Sequence, residues 1–407
     1  MIAPILGRTF AALRFPNYRL WFTGQLISLF GTWMQSTAQG YLIFELTGSA
    51  AYLGYVGFMA GAPSWLFTLY GGVIADRIPR RRLLIITQTV MMILAVILAI
   101  LTFTHRVQAW HILILAFLLG TANAFDAPAR QAFVTDLIDR SYLTNAIALN
   151  STMFNAGTVL GPALAGLTYA AFGPEWCFTI NALSFLAVIA ALLRMQLAPS
   201  NQEVRYTSAL AEAREGLGYV ARHPTIRVLI FNMGMVSLFG LGFATLIPAW
   251  AVDVLGGDAT TNGFMVSARG LGALTGALMI ASLGQFRGKG RLLTVGSFLL
   301  PISLLILSTV RQIPVTLLVL FAAGLGFMIL ANMSNSLVQT HVDDSLRGRV
   351  MGIYTLVFFG LMPLGSLLNG TIASRIGPPM TVQINAMIMI TISALLFLLA
   401  PGIRKLE

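Results

Sequence analysis

Charge is scarce in this chain. Lys, Arg, Asp and Glu make up 10% of its 407 residues, against roughly 25% in a soluble domain. So few charged groups cannot clothe a 57% hydrophobic chain in water, and an all-α membrane protein that crosses the bilayer many times is expected. The alternating segments of about ten residues that build membrane barrels are missing. Cysteine is nearly absent. With Cys177 alone, neither an internal disulfide nor a cysteine-based zinc site can form. The four histidines, His105, His111, His223 and His341, are scattered among loops and span ends. No His-x-x-Glu-His and no Ser-His-Asp set appears, so neither an enzyme nor a metal site is expected, and no cofactor. No Walker loop is present to drive an ATP pump, and no pore loop or charged ring to make a channel. The N-terminal arginines Arg8, Arg14 and Arg19 run into an apolar segment without a small-residue cleavage site, so no cleaved signal peptide is expected.

What the chain does have is long apolar runs. A helix needs about 20 such residues to cross a bilayer. Twelve spans are expected, near 20–43, 50–74, 83–104, 109–128, 144–171, 176–195, 226–251, 262–284, 292–310, 313–336, 349–373 and 380–400. The connections are short except for about 30 polar and charged residues from Leu197 to Ile226. This gives an N-terminal six-helix bundle at 1–196, a linker at 197–225 and a C-terminal six-helix bundle at 226–407.

Basic residues total 25 against 14 acids, a net charge of +11. Their placement is lopsided. The two tails and the even-numbered junctions carry all but Arg106, Arg311, Arg375 and the intramembrane Arg269. The positive-inside bias therefore puts both termini and the linker in the cytoplasm, in a cell inner membrane. Topology accounts for the positive charge, and no nucleic-acid partner is implied. A monomer embedded in the lipid bilayer is expected.

The halves look duplicated. At an offset of 209, Gly54, Gly61 and Leu69 match Gly263, Gly270 and Leu278, and "RLL" at 82–84 matches 291–293. At 204, Val134, Asp139, Ser141, Gly161, Leu164 and Gly166 match Val338, Asp343, Ser345, Gly365, Leu368 and Gly370. Parallel repeats of this kind build many secondary transporters. In the linker, Leu210, Ala213, Leu217 and Val220 share one helical face, with Ser208 and Glu212 as a loose capping pair. Two roles stay open for that helix: lying on the inner membrane surface, or packing on the bundle.

"GGVIADRIPRR" (71–81) interrupts two apolar runs with a carboxylate and three arginines. Gly72, Asp76, Arg77, Arg80 and Arg81 resemble the signature cytoplasmic loop of the major facilitator superfamily, with Pro79 where that family usually has Gly. "ELTGSAAYLG" (45–54), "DAPARQAFVTDLIDRSYLTNAIALNS" (126–151) and "REGLGYVARHP" (214–224) are similar to the branch that holds the bacterial enterobactin exporter and related effluxers. The resemblance covers essentially the whole chain. It implies two pseudo-symmetric six-helix bundles and an ionic latch at the cytoplasmic side. In that latch Asp76, with Arg77 and Arg80 beside it, would meet the start of span eleven, here Arg347 and Arg349. Asp126 and Arg130, four apart, form one helical face of the same cluster. The plainer reading is that these arginines only set topology.

"GTVLGPALAG" (157–166), with Gly157, Gly161, Pro162 and Gly166, resembles the span-five motif of proton-coupled exporters, although small residues also simply let helices approach. The Arg and Gln that such exporters often carry in span four are missing, so a proton as coupling ion rests on the resemblance. Spans 1, 4, 7 and 10 line the path in this fold, and their polar residues are the cavity candidates: Trp33, Gln35 and Gln39, Asn123, Asn232, Asn332 and Asn335, joined by Asn155 of span five. Each amide could equally serve interhelical hydrogen bonding. Arg269 could bind an anionic substrate group, pair with Asp253 or Asp258, or snorkel outward. The expectation is a secondary transporter exporting a small amphipathic molecule, siderophore or drug-like, by alternating access. A lipid or lysolipid flippase on the same fold is the alternative.

Overall fold

The computed structural model describes residues 10–196, 209–284 and 286–406, with the side-chain surroundings of 68–69, 71–73, 75–76, 209–213 and 405 left out. Among the described residues there is no strand, and twelve long helices appear with a shorter one between the sixth and seventh. They are α1 (Pro16–Thr47), α2 (Ala50–Arg77), α3 (Arg80–Phe103), α4 (Ala109–Phe133), α5 (Leu143–Phe172), α6 (Pro174–Arg194) and the short α7 (Ala209–Arg222). Then come α8 (Pro224–Val254), α9 (Ala259–Leu283), α10 (Lys289–Thr309), α11 (Ile313–His341), α12 (Arg347–Ile376) and α13 (Pro378–Leu399). All twelve expected spans are helical, several with ends one turn beyond the apolar run. This is an all-α, multi-pass membrane protein.

The helices are inverted relative to those of a soluble protein. On α3, Ile86, Ile93, Ile97 and Ile100 face outward while Thr87, Gln88, Met91, Ala95 and Leu98 are buried. On α6, Ile180, Leu183, Leu186 and Leu193 are exposed, whereas Asn181 and Ser184 are 2% and 5% exposed. Apolar faces this large would aggregate in water. In lipid they are the solvated surface, and polar groups must turn inward to find partners.

Packing divides the chain into two compact units, one of Met1–Leu42 with Ala62–Arg205, the other of Ile43–Gly61 with Tyr206–Glu407. In the first, Trp21 meets Phe133 edge-on at 5.2 Å, and the Tyr18 hydroxyl donates to the Ala146 carbonyl at 3.0 Å. In the second, the start of α2 lies against α12 without room for side chains. A methyl group on Gly54 would sit 2.7 Å from the Ser366 carbonyl oxygen and 3.0 Å from Gly370 Cα. Small residues in this seam allow backbone approach, the usual way helices associate in membranes.

α8 is not one regular helix. Its α-helical start (Pro224–Met235) passes into a π segment (Val236–Leu241), a 3₁₀ segment (Gly242–Leu246) and a second π segment (Trp250–Val254). Such changes of pitch misplace carbonyls, which must find other donors in lipid. Here Asn369 of α12 donates to the Leu238 carbonyl at 3.4 Å, and the Ser237 hydroxyl donates to the Phe358 carbonyl.

The duplication is visible in where helices begin. α2 and α9 begin at 50 and 259, α3 and α10 at 80 and 289, both pairs 209 apart. α4 and α11 begin at 109 and 313, α5 and α12 at 143 and 347, α6 and α13 at 174 and 378, all 204 apart.

Candidate functional site

The charged cluster of the first unit forms where α3 begins and α4 ends. Arg80, the first residue of α3, reaches across to α4 and donates to Asp136 at 2.7 Å and to the Ala132 carbonyl at 3.3 Å. Arg81 donates to the Leu193 carbonyl at the end of α6, 2.9 Å away. Arg77 is exposed, while Gly72 and Asp76 fall outside the residues whose surroundings are described. Two turns before the end of α4, Asp126 is 1% exposed. Its Oδ1 accepts from the Thr87 hydroxyl at 2.8 Å and the Gln88 amide at 3.0 Å. Its Oδ2 lies 3.5 Å from Arg130 Nε and accepts no hydrogen bond among the described residues. One carboxylate is thus held by α3 on one oxygen and faces a cation with the other.

Sequence reading paired Asp126 with Arg130 but missed Thr87 and Gln88, one span back, and Asp136, the partner of Arg80. Those contacts join residues 38 to 56 apart, and no local spacing reveals them.

The span-five motif is a seat for Trp33. A Cβ on Gly161 would meet Trp33 Cβ at 2.5 Å, and one on Gly157 would meet the indole Cδ1 at 3.0 Å. Phe154 closes the ring's other side edge-on at 5.7 Å. Pro162 and Gly166 continue this buried stripe of α5. Gln35 is 3% exposed and accepts from Asn181 of α6 at 2.7 Å. Gln39 is buried, and Asn123 is exposed on α4. Asn155 donates to the Ser151 carbonyl of its own helix at 2.8 Å.

In the second unit, Arg347 pairs with Asp344, one turn back. Arg349 pairs at 2.6 Å with Glu215 of α7. The same face of α7 packs on α12, where a Cβ on Gly216 would meet Ile353 Cδ1 at 2.8 Å, and the Tyr219 hydroxyl accepts from the Asp343 backbone N–H at 3.3 Å. The linker helix therefore packs on the second bundle, with Val220 buried and Leu217 exposed. Leu210 and Ala213 lie among the side chains not described, as does the Ser208 and Glu212 pair.

Asn232, in the regular part of α8, donates to the Ser297 hydroxyl at 3.3 Å. Arg269 forms no ion pair among the described residues, and its Nε is buried without an acceptor. Asp258 forms no ion pair with it, and its carboxylate caps α9 by accepting from the Thr261 backbone N–H at 2.9 Å. That bond holds the Asp258 carboxyl below the ordinary carboxylate range. Asn332 and Asn335 line a cavity of about 330 Å³ bounded by the end of α9, the start of α10 and the end of α11.

The profile of the transmembrane secretion effector family matches residues 7–405. The staphyloferrin A transporter of Staphylococcus aureus is 25% identical over 393 residues, covering 96% of this chain and 98% of that protein. The multidrug efflux pump Tap of Mycolicibacterium fortuitum is 25% identical over 376 residues, 90% of this chain and 91% of its own. Among solved structures, a bacterial homologue of the human lysosomal transporter Spinster, inward-facing and unoccupied, superposes with a TM-score of 0.71 at 13% identity. That superposition covers 95% of this chain and 97% of the other, and it is a likeness of fold.

Proposed function

This chain belongs to the transmembrane secretion effector family of major facilitator transporters, and on that premise we propose that it exports a small amphipathic compound, siderophore or drug-like, in exchange for protons. Its relatives are transporters, so the chain is a transporter and not an enzyme. Relatives named for a siderophore and for multidrug efflux support the substrate class. The span-five motif supports the outward direction.

The observation that carries the coupled mechanism is Asp126. A carboxylate inside a bundle needs compensation for the water it has lost. Here α3 satisfies one oxygen, while the other faces Arg130 without a hydrogen bond. A proton arriving on Oδ2 cancels the attraction to Arg130 and leaves the bonds from Thr87 and Gln88 in place. The cluster then loosens at one end only. In this reading the change passes along α3 to Arg80 and the adjoining loop, where Asp76 meets Arg347 and Arg349 at the cytoplasmic side. The two halves rock about a midplane site lined by the polar residues of α1, α4 and α8, while Asn332 and Asn335 of α11 line the separate cavity at its end. Glu215 competes for Arg349, so the linker helix is a third party to the latch. The protein works as a monomer in the inner membrane with both termini cytoplasmic.

Inside-out vesicles holding the protein and a pH-sensitive dye test this. Catecholate siderophores, lipophilic cations and lysolipids are added in turn. Proton movement that needs one compound class and is lost in Asp76→Asn and Asp126→Asn is the expected result. Full transport by Asp76→Asn sinks the latch. A response to lysolipids alone moves the reading to a flippase.

A further inference from the structure

The cavity beside Asn332 and Asn335 occupies a telling place in the repeat. Lys289 is the first residue of α10, as Arg80 is of α3, 209 positions earlier. Across from them, Ser336 and Thr340 of α11 stand 204 positions after Ala132 and Asp136. In the first half Arg80 is neutralised there by the Asp136 carboxylate and the Ala132 carbonyl. In the second half the cation persists and the acid does not: Thr340 replaces Asp136, and among the described residues no Asp or Glu lines the cavity. Among the described residues, Lys289 forms no ion pair.

The space between is open instead of filled. Its polar lining is Lys289, Asn332, Asn335, Ser336, Gln339 and Thr340, and Leu283 and Leu292 form part of an apolar wall. One acceptor in it is already occupied: Asn335 Oδ1 accepts from Gln339 at 2.6 Å. Asn332 spends a donor on the Met328 carbonyl at 3.1 Å. The donors that remain for a ligand are the ammonium of Lys289, the amide hydrogens of Asn335 and the hydroxyl of Ser336. Arg287 and Arg291 lie two positions to either side of Lys289 in the sequence, both exposed. A partly buried cation among unspent donors, with no acid in the lining, is complementary to an anion with several acceptor oxygens. A phosphate group fits that description, and a basic pocket between helices with an apolar wall is suited to a lipid headgroup.

We propose that this cavity binds a phosphate-bearing anion, either a phospholipid headgroup or a free phosphate, which supplies to Lys289 the negative charge that Asp136 supplies to Arg80. The site is intramolecular to the second half and independent of which compound is exported. Its consequence is that the second half is stabilised from outside the chain where the first half is stabilised from within.

The test is thermal unfolding of the purified full-length protein in uncharged detergent. It is titrated separately with dioctanoyl phosphatidylglycerol, with inorganic phosphate and with dioctanoylglycerol, which lacks the phosphate. Saturable stabilisation by the first or second, and none by the third, is expected, and which of the two acts identifies the source. Lys289→Gln should weaken the apparent affinity about tenfold, the loss of one charge-assisted bond. Thr340→Asp restores the pairing of the first half. It should unfold at a higher temperature than wild type without additive and respond to neither phosphate compound. This variant keeps the test decisive even where Lys289→Gln fails to fold. Equal titrations of wild type and Thr340→Asp overturn the proposal, as does the absence of any phosphate-dependent stabilisation.

Discussion

At the scale of single residues, the membrane makes each buried polar group an obligation. Asp126 and Arg269 show two ways of meeting it. Asp126 has three groups around it from two helices, and Asp126→Ala would leave Thr87, Gln88 and Arg130 facing an empty space. A loss of about 1–3 kcal/mol is expected, read as a lower thermal midpoint in detergent. Asp126→Asn keeps the size and an acceptor oxygen but can carry no proton, so it should fold and fail in coupled transport. Proton-coupled export by Asp126→Asn at the wild-type rate would remove this residue from the mechanism. Arg269 has no such partners. If it binds an anionic substrate group, Arg269→Met should raise the thermal midpoint by removing an unsatisfied buried group, and should weaken binding of anionic compounds while sparing neutral ones. Equilibrium binding of a matched acid and amide pair checks this. The sequence disclosed both residues, because charges are rare in spans. It did not disclose the surroundings that separate them, because those come from other helices.

At the scale of elements, periodicity located every span, and its failures are physical. α8 reads as an ordinary apolar run, yet its middle is π and 3₁₀. Nothing in hydropathy separates these pitches. The donor that serves the irregular backbone at Leu238 is Asn369 of α12, more than 100 residues away. The linker helix posed the opposite problem, a clear amphipathic face with two surfaces to serve. The structure seats it on α12 through a charged and an apolar contact of different weight. Glu215 and Arg349 are 55% and 33% exposed, so their pair is worth roughly 0.2–1 kcal/mol. Gly216 lies under Ile353, and a larger side chain there costs about 1–3 kcal/mol by overpacking. Gly216→Val should therefore lower the unfolding midpoint more than Glu215→Ala does. The opposite order would mean that the ion pair, and not the close approach, seats the helix. If Arg349 also serves the loop carboxylate, Glu215→Ala should change transport rate more than stability.

At the scale of the whole molecule, the two sequence offsets describe a duplication that five of the six pairs of helix starts follow, with one slip between them. The five-residue slip falls between the third and fourth spans of each half. α3 has 24 residues and α10 has 21, and the loop 104–108 is two residues longer than 310–312. Together these differences account for the slip, so the repeat survived a change at one helix end and its loop. Orientation follows from the same pattern, since corresponding junctions in both halves carry the arginines. It can be measured because the chain has one cysteine. Cys177 is fully buried and only weakly bonded, its thiol 3.6 Å from the Ala165 carbonyl, so Cys177→Ser should cost about 1 kcal/mol or less and provide a blank background. Single cysteines at Arg287 and Arg140 should then react with a membrane-impermeant maleimide only after the cytoplasmic face is exposed. Cysteines at Arg106 and Arg311 should react from outside intact cells. Labelling of Arg287→Cys from outside would invert the topology, and export would become import with the same machinery. Labelling on the expected sides puts the Arg80 and Lys289 clusters at the cytoplasmic face, and so fixes the side from which the Lys289 cavity meets its anion.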